Sequence, residues 1–391
     1  MRSLQTVCAV RFGVFAFLLL VMVAQAQPFS LSANRAATTT GSSATAVWAN
    51  VTDGGVDSFT VSATIPAFLG TGNVLVMASF SANAATAVTD TGQWRLTDGT
   101  TTSNEIVRTL SSNTNDQGIA TVTWLFTGVA GTKTYHLQHK TLLGNGVTTH
   151  NATLVALPLA VSNGVTDLAL AGAADNTGAY EYASASATGE TVEKAAGIDL
   201  SAAIALPRPG RIFVAAALNC RPAAGAALHV AQWELQVDGV TISTTRRTMQ
   251  AAGGNDRGAV TLYGLAEGLA TGTHHATILA KSVSGQTIIT FNAVVAGIAL
   301  SFDDDGVASA YYQLPAWVAT GTNSLLAPST GDTVTKSGLV YAAGANVFLA
   351  SSYYSQTTVT NTAQTGSFRL YASVGSTAYT SQTESRSLSG G

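Results

Sequence analysis

The chain repeats itself at an interval of about 140 residues, and this limits its fold more than any other feature. Gln93-Trp94-Arg95-Leu96-Thr97-Asp98-Gly99 matches Gln232-Trp233-Glu234-Leu235-Gln236-Val237-Asp238-Gly239 with one insertion. Asn115-Asp116-Gln117-Gly118 matches Asn255-Asp256-Arg257-Gly258. Gly131-Thr132 matches Gly272-Thr273, and Asn151-Ala152 matches Asn292-Ala293. The spacing stays between 139 and 141 residues throughout. A third copy starts at Asn346-Val347-Phe348-Leu349-Ala350, which is similar to Asn73-Val74-Leu75-Val76-Met77. It continues through Gly366-Ser367-Phe368-Arg369-Leu370, similar to Gly92-Gln93-Trp94-Arg95-Leu96, and the sequence stops before the Asn-Asp-x-Gly turn. The reading is two whole repeats and about half of a third, with Trp94, Trp233 and Phe368 as matching core residues.

Each repeat reads as strands. Val74–Ala78 is a short continuous apolar run, as expected for a strand buried on both sides. Trp94 and Leu96 alternate with Arg95, and Trp233, Leu235 and Val237 alternate with Glu234 and Gln236. Period two with one polar face is the pattern of an antiparallel sheet wet on one side. Asp98-Gly99 and Asp238-Gly239 are tight-turn signals, because Gly tolerates positive φ at no steric cost. Thr, Val and aromatics fill the remaining strands, as pleated half-buried surfaces favour. No segment has a helical apolar period. Ala171–Ala174 and Ala223–Ala227 are broken by Gly172 and Gly225 and read as loops or strand connections. A unit of this length with eight or more short strands predicts an all-β fold of tandem antiparallel β-sandwiches, jelly-roll-like. The expected divisions are a polar tail over 27–50, a first repeat over 51–165, a second over 166–306 and a partial third over 307–391.

Residues 1–26 read as a signal peptide. Arg2 and Arg11 precede an apolar run from Phe12 to Ala24, and Ala24-Gln25-Ala26 supplies an A-x-A site. The run is short for a spanning helix, and no later stretch reads as one, so no membrane span is expected after cleavage. Cleavage removes two arginines and no acids, which takes the net charge from −3 to −5. It also removes Cys8, leaving Cys220 alone and unable to form an internal disulfide. Cys220 ends the apolar run that starts at Ile212 and reads as a small buried hydrophobe. The expected location is secreted or at a bacterial cell surface. Only 10% of residues are charged, against roughly 25% in an average soluble protein. That composition, with a negative balance, excludes a nucleic-acid partner, which needs clustered Lys and Arg.

The succession of apolar strand, Trp-x-Leu, Asp-Gly, Asn-Asp-x-Gly, Gly-Thr and Asn-Ala-Thr-Leu resembles repeats in bacterial secreted and phage-associated jelly-roll proteins. It is also loosely similar to tumour-necrosis-factor-type jelly rolls. The resemblance implies a β-sandwich and an extracellular surface role; it carries over no catalytic residue.

Candidate chemistry is sparse. His136 and His139 sit three apart on a strand and so face opposite sides. His274 and His275 diverge in the same way. There is no Gly-x-Ser-x-Gly elbow, and among 21 acids no carboxylate pair stands out, so no enzyme activity is expected. No cofactor is expected either, apart from calcium at Asp303-Asp304-Asp305-Gly306, where carboxylates gather beside a turn. That run lacks the alternate spacing of a calcium loop, and a solvated turn explains it equally. Aromatics are the binding lead. Tyr311, Tyr312, Tyr353 and Tyr354, with Tyr180 and Tyr182, can offer flat faces to sugar rings; alternatively, neighbouring tyrosines on a strand put one ring in and one out.

These readings point to a secreted structural or adhesive surface protein, a self-assembling fibre or stalk subunit whose partner is its own copies or another surface protein. The tail of residues 27–50 is the expected strand donor to a neighbour. The alternative is a carbohydrate-binding, lectin-like module whose partners are glycans.

Overall fold

The computed structural model describes residues 33–54, 57–65, 70–86, 88–110, 118–160, 171–175, 180–206, 209–223, 228–250 and 256–301, and four strand segments between 364 and 388. Its regular elements are all strands, in antiparallel sheets. The first set is β1 (Ala33–Ser43), β2 (Ala49–Asn50), β3 (Thr52–Asp53), β4 (Asp57–Ser58), β5 (Thr60–Ile65), β6 (Gly72–Ala84), β7 (Asp90–Thr97), β8 (Ile106–Leu110), β9 (Gly118–Val129), β10 (Gly131–Thr141) and β11 (Val147–Ala160). The second is β12 (Ala171–Asp175), β13 (Glu181–Ser184), β14 (Glu190–Thr191), β15 (Glu193–Ala195), β16 (Ile198–Asp199), β17 (Ser201–Leu206), β18 (Gly210–Pro222), β19 (Leu228–Val237), β20 (Val240–Gln250), β21 (Gly258–Leu269), β22 (Gly272–Ser282) and β23 (Ile288–Ser301). The last segments, β24 (Gln364–Phe368), β25 (Tyr371–Val374), β26 (Thr377–Thr380) and β27 (Glu384–Leu388), pair as β24 with β27 and β25 with β26.

The two sets are wound alike. In the second, the chain turns between β19 and β20, and from there β18 pairs with β21, β17 with β22 and β13 with β23. In the first, β7 pairs with β8, β6 with β9, β5 with β10 and β1 with β11. This is one long hairpin rolled into two facing sheets, the jelly-roll wrap. In the first unit the inner sheet runs β4-β3-β1-β11-β6-β9, and the outer sheet runs β2-β10-β7-β8 with β5 also on β10. In the second the inner sheet runs β12-β23-β18-β21 and the outer β14-β22-β19-β20.

The repeated residues occupy matched places. Trp94 and Trp233 are fully buried, each between its own two sheets. The Trp94 indole N–H donates to Thr149 Oγ1 at 2.9 Å and that of Trp233 to Thr290 Oγ1 at 3.1 Å. Buried Trp needs such a partner, because an unpaired N–H costs about 1–3 kcal/mol. Gly92 is required beside it, since a Cβ there would lie 2.2 Å from the Trp94 ring. Asn151 and Asn292 both have positive φ, 49° and 47°, at the register shifts of β11 and β23. They are β-bulges, and Asn tolerates the left-handed conformation better than most residues.

Two segments differ from the sequence reading. Ala33–Ser43, expected in a polar tail, is β1 and pairs along β11 of its own chain, so it is not free to be donated. Ala171–Asp175, expected as a connection, is β12 on β23. Neither segment has an apolar period; a neighbouring strand supplies the hydrogen bonds that hold them extended.

The units are joined face to face through their inner sheets. Val74, Val76 and Ala78 point into the first core, while Leu75 and Met77 point out of it. With Leu125 and Leu157 they meet Ala215, Leu265, Ala296 and Ile298 of the second unit. Phe213 and Tyr263 stack beside them at 6.3 Å. The run Val74–Ala78 is thus buried on both sides, and the outer wall is the other unit. Buried Asn219 accepts from Val107 N–H at 2.8 Å and donates to Glu105 C=O at 2.7 Å, and Asn292 donates to the same carbonyl. The Arg257 and Thr109 backbones are linked as well. An apolar contact bordered by these hydrogen bonds joins the two units.

Candidate functional site

The outer sheet of the first unit builds the most chemically distinct surface among the described residues. Strand alternation sends Arg95 of β7 and Gln138 and Lys140 of β10 to the wet face, opposite Trp94 and Leu137. Short β2 pairs with β10 at Gln138–Asn50 and brings half-buried Trp48 alongside. The Arg95 guanidinium stands 4.3 Å and the Lys140 ammonium 4.4 Å from the Trp48 ring centroid. Both separations are cation–π distances. Arg95 Nε donates to Gln138 Oε1 at 2.8 Å, and Gln138 Nε2 donates to Asn50 Oδ1 at 3.0 Å. Lys140 also faces Glu105 at 3.9 Å. Burial holds the Arg95 pKa below its usual value, partly offset by Glu105. Farther along the face, Ser62 bonds Thr134 and Thr64 bonds Thr132, each at 2.8 Å, an uncharged hydroxyl ladder.

At one end of this sheet a buried carboxylate organises the loops. Asp90 is fully buried at the start of β7. Its Oδ1 accepts from Thr91 N–H at 2.6 Å and Leu143 N–H at 3.1 Å. Its Oδ2 accepts from Asn145 N–H at 2.8 Å and from the Thr141 hydroxyl. Four donors account for the lone pairs of a buried carboxylate, which is costly unless paired. The β10–β11 loop is therefore tied at 141, 143 and 145 to one group.

The histidines do not converge on a site. His139 is buried against Thr149 Oγ1 at 3.0 Å, and burial pushes its pKa down to about 4. Burial also lowers the pKa of His136 and of His150, which bonds Asn83. His274 sits between Asp238 Oδ2 at 2.6 Å and Ala270 C=O at 2.8 Å. Desolvation opposes its charge, but these two acceptors and the Asp238 charge outweigh it and raise the pKa. Among the described residues no group of three or more His, Cys, Asp or Glu is placed to hold a metal. The Cys220 thiol is fully buried, and burial pushes its pKa up to about 12, the behaviour of an inert core cysteine.

Of the residues singled out from sequence, Asp303, Asp304 and Asp305, and Tyr311, Tyr312, Tyr353 and Tyr354, lie outside the described residues. Phe368 ends β24, and its side chain lies outside them too. Tyr180 and Tyr182 are described and are engaged by acids. The Tyr180 hydroxyl donates to Glu193 at 2.5 Å and the Tyr182 hydroxyl to Glu190 at 3.1 Å. The bond to Glu193 raises the Tyr180 pKa, and burial followed by the bond to Glu190 raises that of Tyr182. Trp48 was missed. The signal that finds it is the repeat itself, because the matching position in the second copy is Gly189.

No protein-family model matches the chain, and no curated protein sequence matches it. Among solved structures the chain is similar to PNGF-II at TM-score 0.27 and 9% identity, over 65% of this chain and 61% of that one. It thus spans less than two thirds of PNGF-II's own length. It is similar to the CBM22-1–CBM22-2 tandem domain of Paenibacillus barcinonensis Xyn10C at TM-score 0.19 and 9% identity, over 69% and 93%. It is also similar to the structure of infectious bursal disease virus, Gx strain, at TM-score 0.20 and 9% identity, over 69% and 77%. At such scores any functional reading rests on the chain's own geometry.

Proposed function

We propose that the chain is an exported structural or adhesive surface protein that associates with its own copies or another surface protein. The observation that carries this reading is the join between the two sandwiches. Leu75, Met77, Leu125 and Leu157 are buried against the second unit, and a Leu or Met so buried is worth about 1.5–3 kcal/mol. Tandem sandwiches on a flexible linker would be a string of modules. Four sheets stacked through three apolar layers make a stiff body suited to bearing load or presenting a surface. The uncharged Ser62–Thr134 and Thr64–Thr132 ladder lets copies approach without charge repulsion. The test is size exclusion with light scattering on the exported chain, followed by negative-stain imaging. Concentration-dependent assemblies, lost when residues 307–391 are removed, support the reading. A monomer at every concentration, with no ordered assembly, overturns it.

One observation favours carbohydrate binding as a second reading. Trp48 with Asn50, Gln138 and Arg95 combines an aromatic ring with amide and guanidinium groups, as sugar stacking and hydroxyl recognition need. Hits on a glycan array that vanish with Trp48→Ala support it; an array without hits removes it.

A further inference from the structure

The Asp90-tied end of the first unit carries an apolar tip. Leu142 is 49% exposed and Leu143 60%, while Val88 is 52% and Val47 72% exposed. They come from three loops that the backbone ties together. Thr141 N–H donates to Thr45 C=O at 3.2 Å, and Leu142 N–H donates to Thr91 C=O at 2.9 Å. Ala85 N–H donates to Gly146 C=O at 3.0 Å, the Thr86 hydroxyl to Asn145 C=O at 3.0 Å, and Asn145 Nδ2 to Thr89 C=O at 3.2 Å. Apolar side chains gathered on neighbouring loop tips at one end of a sheet, rather than scattered singly, are what marks an interaction site.

The tip has a collar of defined chemistry. Lys140 is two residues from Leu142, about 7 Å along a strand. Trp48 follows Val47 and lies under the Lys140 and Arg95 cations. On the wet face of this half of the outer sheet the charges are Arg95 and Lys140 against Glu105, with Asp90 buried and fully bonded. Apolar tips, then an aromatic ring, then cations is the order of environments met on entering an anionic bilayer: acyl boundary, headgroup level, phosphate.

The second unit shows that the arrangement does not come with the fold. By strand register Leu142 and Leu143 correspond to Val283 and Ser284, Val47 to Thr188, Trp48 to Gly189 and Arg95 to Glu234. Only Lys140 keeps its charge, as Lys281, and there it pairs with Glu234 at 2.5 Å. Val283 is itself 48% exposed, but the Trp48 ring, the Arg95 cation and the apolar Val47 and Leu143 have no counterpart in the second copy.

We propose that Val47, Val88, Leu142 and Leu143 form a docking tip that inserts into the interfacial layer of an anionic phospholipid membrane, with Trp48 at headgroup level and Lys140 and Arg95 on lipid phosphates. This reading is independent of self-association. The experiment is co-sedimentation of the full exported chain with phosphatidylcholine vesicles, with and without phosphatidylglycerol, in low and high salt. Binding is expected with phosphatidylglycerol, weakening as salt screens the collar. The variant Leu142→Ser/Leu143→Ser is expected to lose at least about tenfold in affinity, since each buried apolar side chain adds severalfold or more. Both residues are exposed, so thermal unfolding should not move, and Asp90 keeps its partners. Trp48 emission should shift to the blue on binding, and Trp48→Phe should remove that shift. No sedimentation, or equal sedimentation of the Ser/Ser variant, overturns the proposal. So does a tip-dependent dimer in light scattering, or a glycan that binds through Trp48 while vesicles do not.

Discussion

The two units share a winding, a buried tryptophan and a bulged last strand, yet they differ at the same end of the same sheet. Asp90 of the first corresponds by register to His229 of the second. Asp90 gathers four donors and holds a loop bearing two exposed leucines. His229 is equally buried, and among the described residues its ring nitrogens have no partner. The second loop is held instead by Ser284, whose hydroxyl accepts from Val230 N–H at 3.0 Å, and by the Ser282 hydroxyl on Gln286 C=O at 2.6 Å. Core positions match because packing admits few solutions. Loop ends diverge because they bear little of the packing, and that is where a repeat can acquire a task.

The surest way to break the equivalence is at the tryptophans. Trp94→Ala and Trp233→Ala should each cost about 3–5 kcal/mol, by cavity formation and loss of the Thr149 or Thr290 bond. Urea unfolding of the two variants checks this, and a clear inequality would mean that the cores are not interchangeable.

Acid separates the units next. His139 is neutral in its buried site, with a folded pKa of about 4 against about 6.5 unfolded. Between those values the unfolded chain binds the proton and the folded chain does not. Stability therefore falls as pH drops from about 6.5 to 4, by up to about 3 kcal/mol. His139→Gln should flatten that limb in urea titrations at each pH.

The join comes third. Asn219→Leu leaves the buried Val107 N–H without its side-chain partner and takes from the Glu105 C=O one of its two amide donors, at a cost of about 2–3 kcal/mol. A single unfolding transition should broaden or split as the units lose their coupling. A variant that unfolds as the parent does would show that the apolar layer alone holds them.

The smallest effect has the opposite sign from that of His139. His274 has a raised pKa, so its bond to Asp238 contributes fully below about 6.5 and is lost as pH rises through the folded value. Asp238, whose pKa the same bonds lower against a desolvation cost, keeps its charge throughout that window. The matching pair in the first unit is Lys133 with Asp98 at 3.9 Å. His274→Lys should remove the alkaline loss, an effect of no more than about 1 kcal/mol because the Asp238 carboxylate is 43% exposed. Thermal melts from pH 6 to 8 measure it.

The sequence made the winding legible through turn and core residues. Asp238-Gly239 takes positive φ at both residues, 50° and 78°, the two-residue hairpin its composition signals. Asp98-Gly99 opens a longer loop, in which the Asp98 carboxylate accepts from Thr100 and Thr101 N–H. Val74–Ala78 announced burial on both faces but not what would cover the second, because a partner sheet from another unit leaves no local trace. β1 and β12 stayed hidden because Ala, Thr and Gly carry no periodic signal and take their conformation from β11 and β23. Trp48 stayed hidden because the repeat marks shared positions, and its counterpart in the second copy is Gly189.

The pairing of β1 with β11 bears on the order in which this protein can be made. Ala33 meets Ala156, and Ser43 meets Val147. A chain delivered amino end first holds β1 bare until nearly the whole first unit has emerged. Closing such a long loop is slow, and strands joined across it come late in folding. The first sandwich stays unlatched for as long as its opening strand waits.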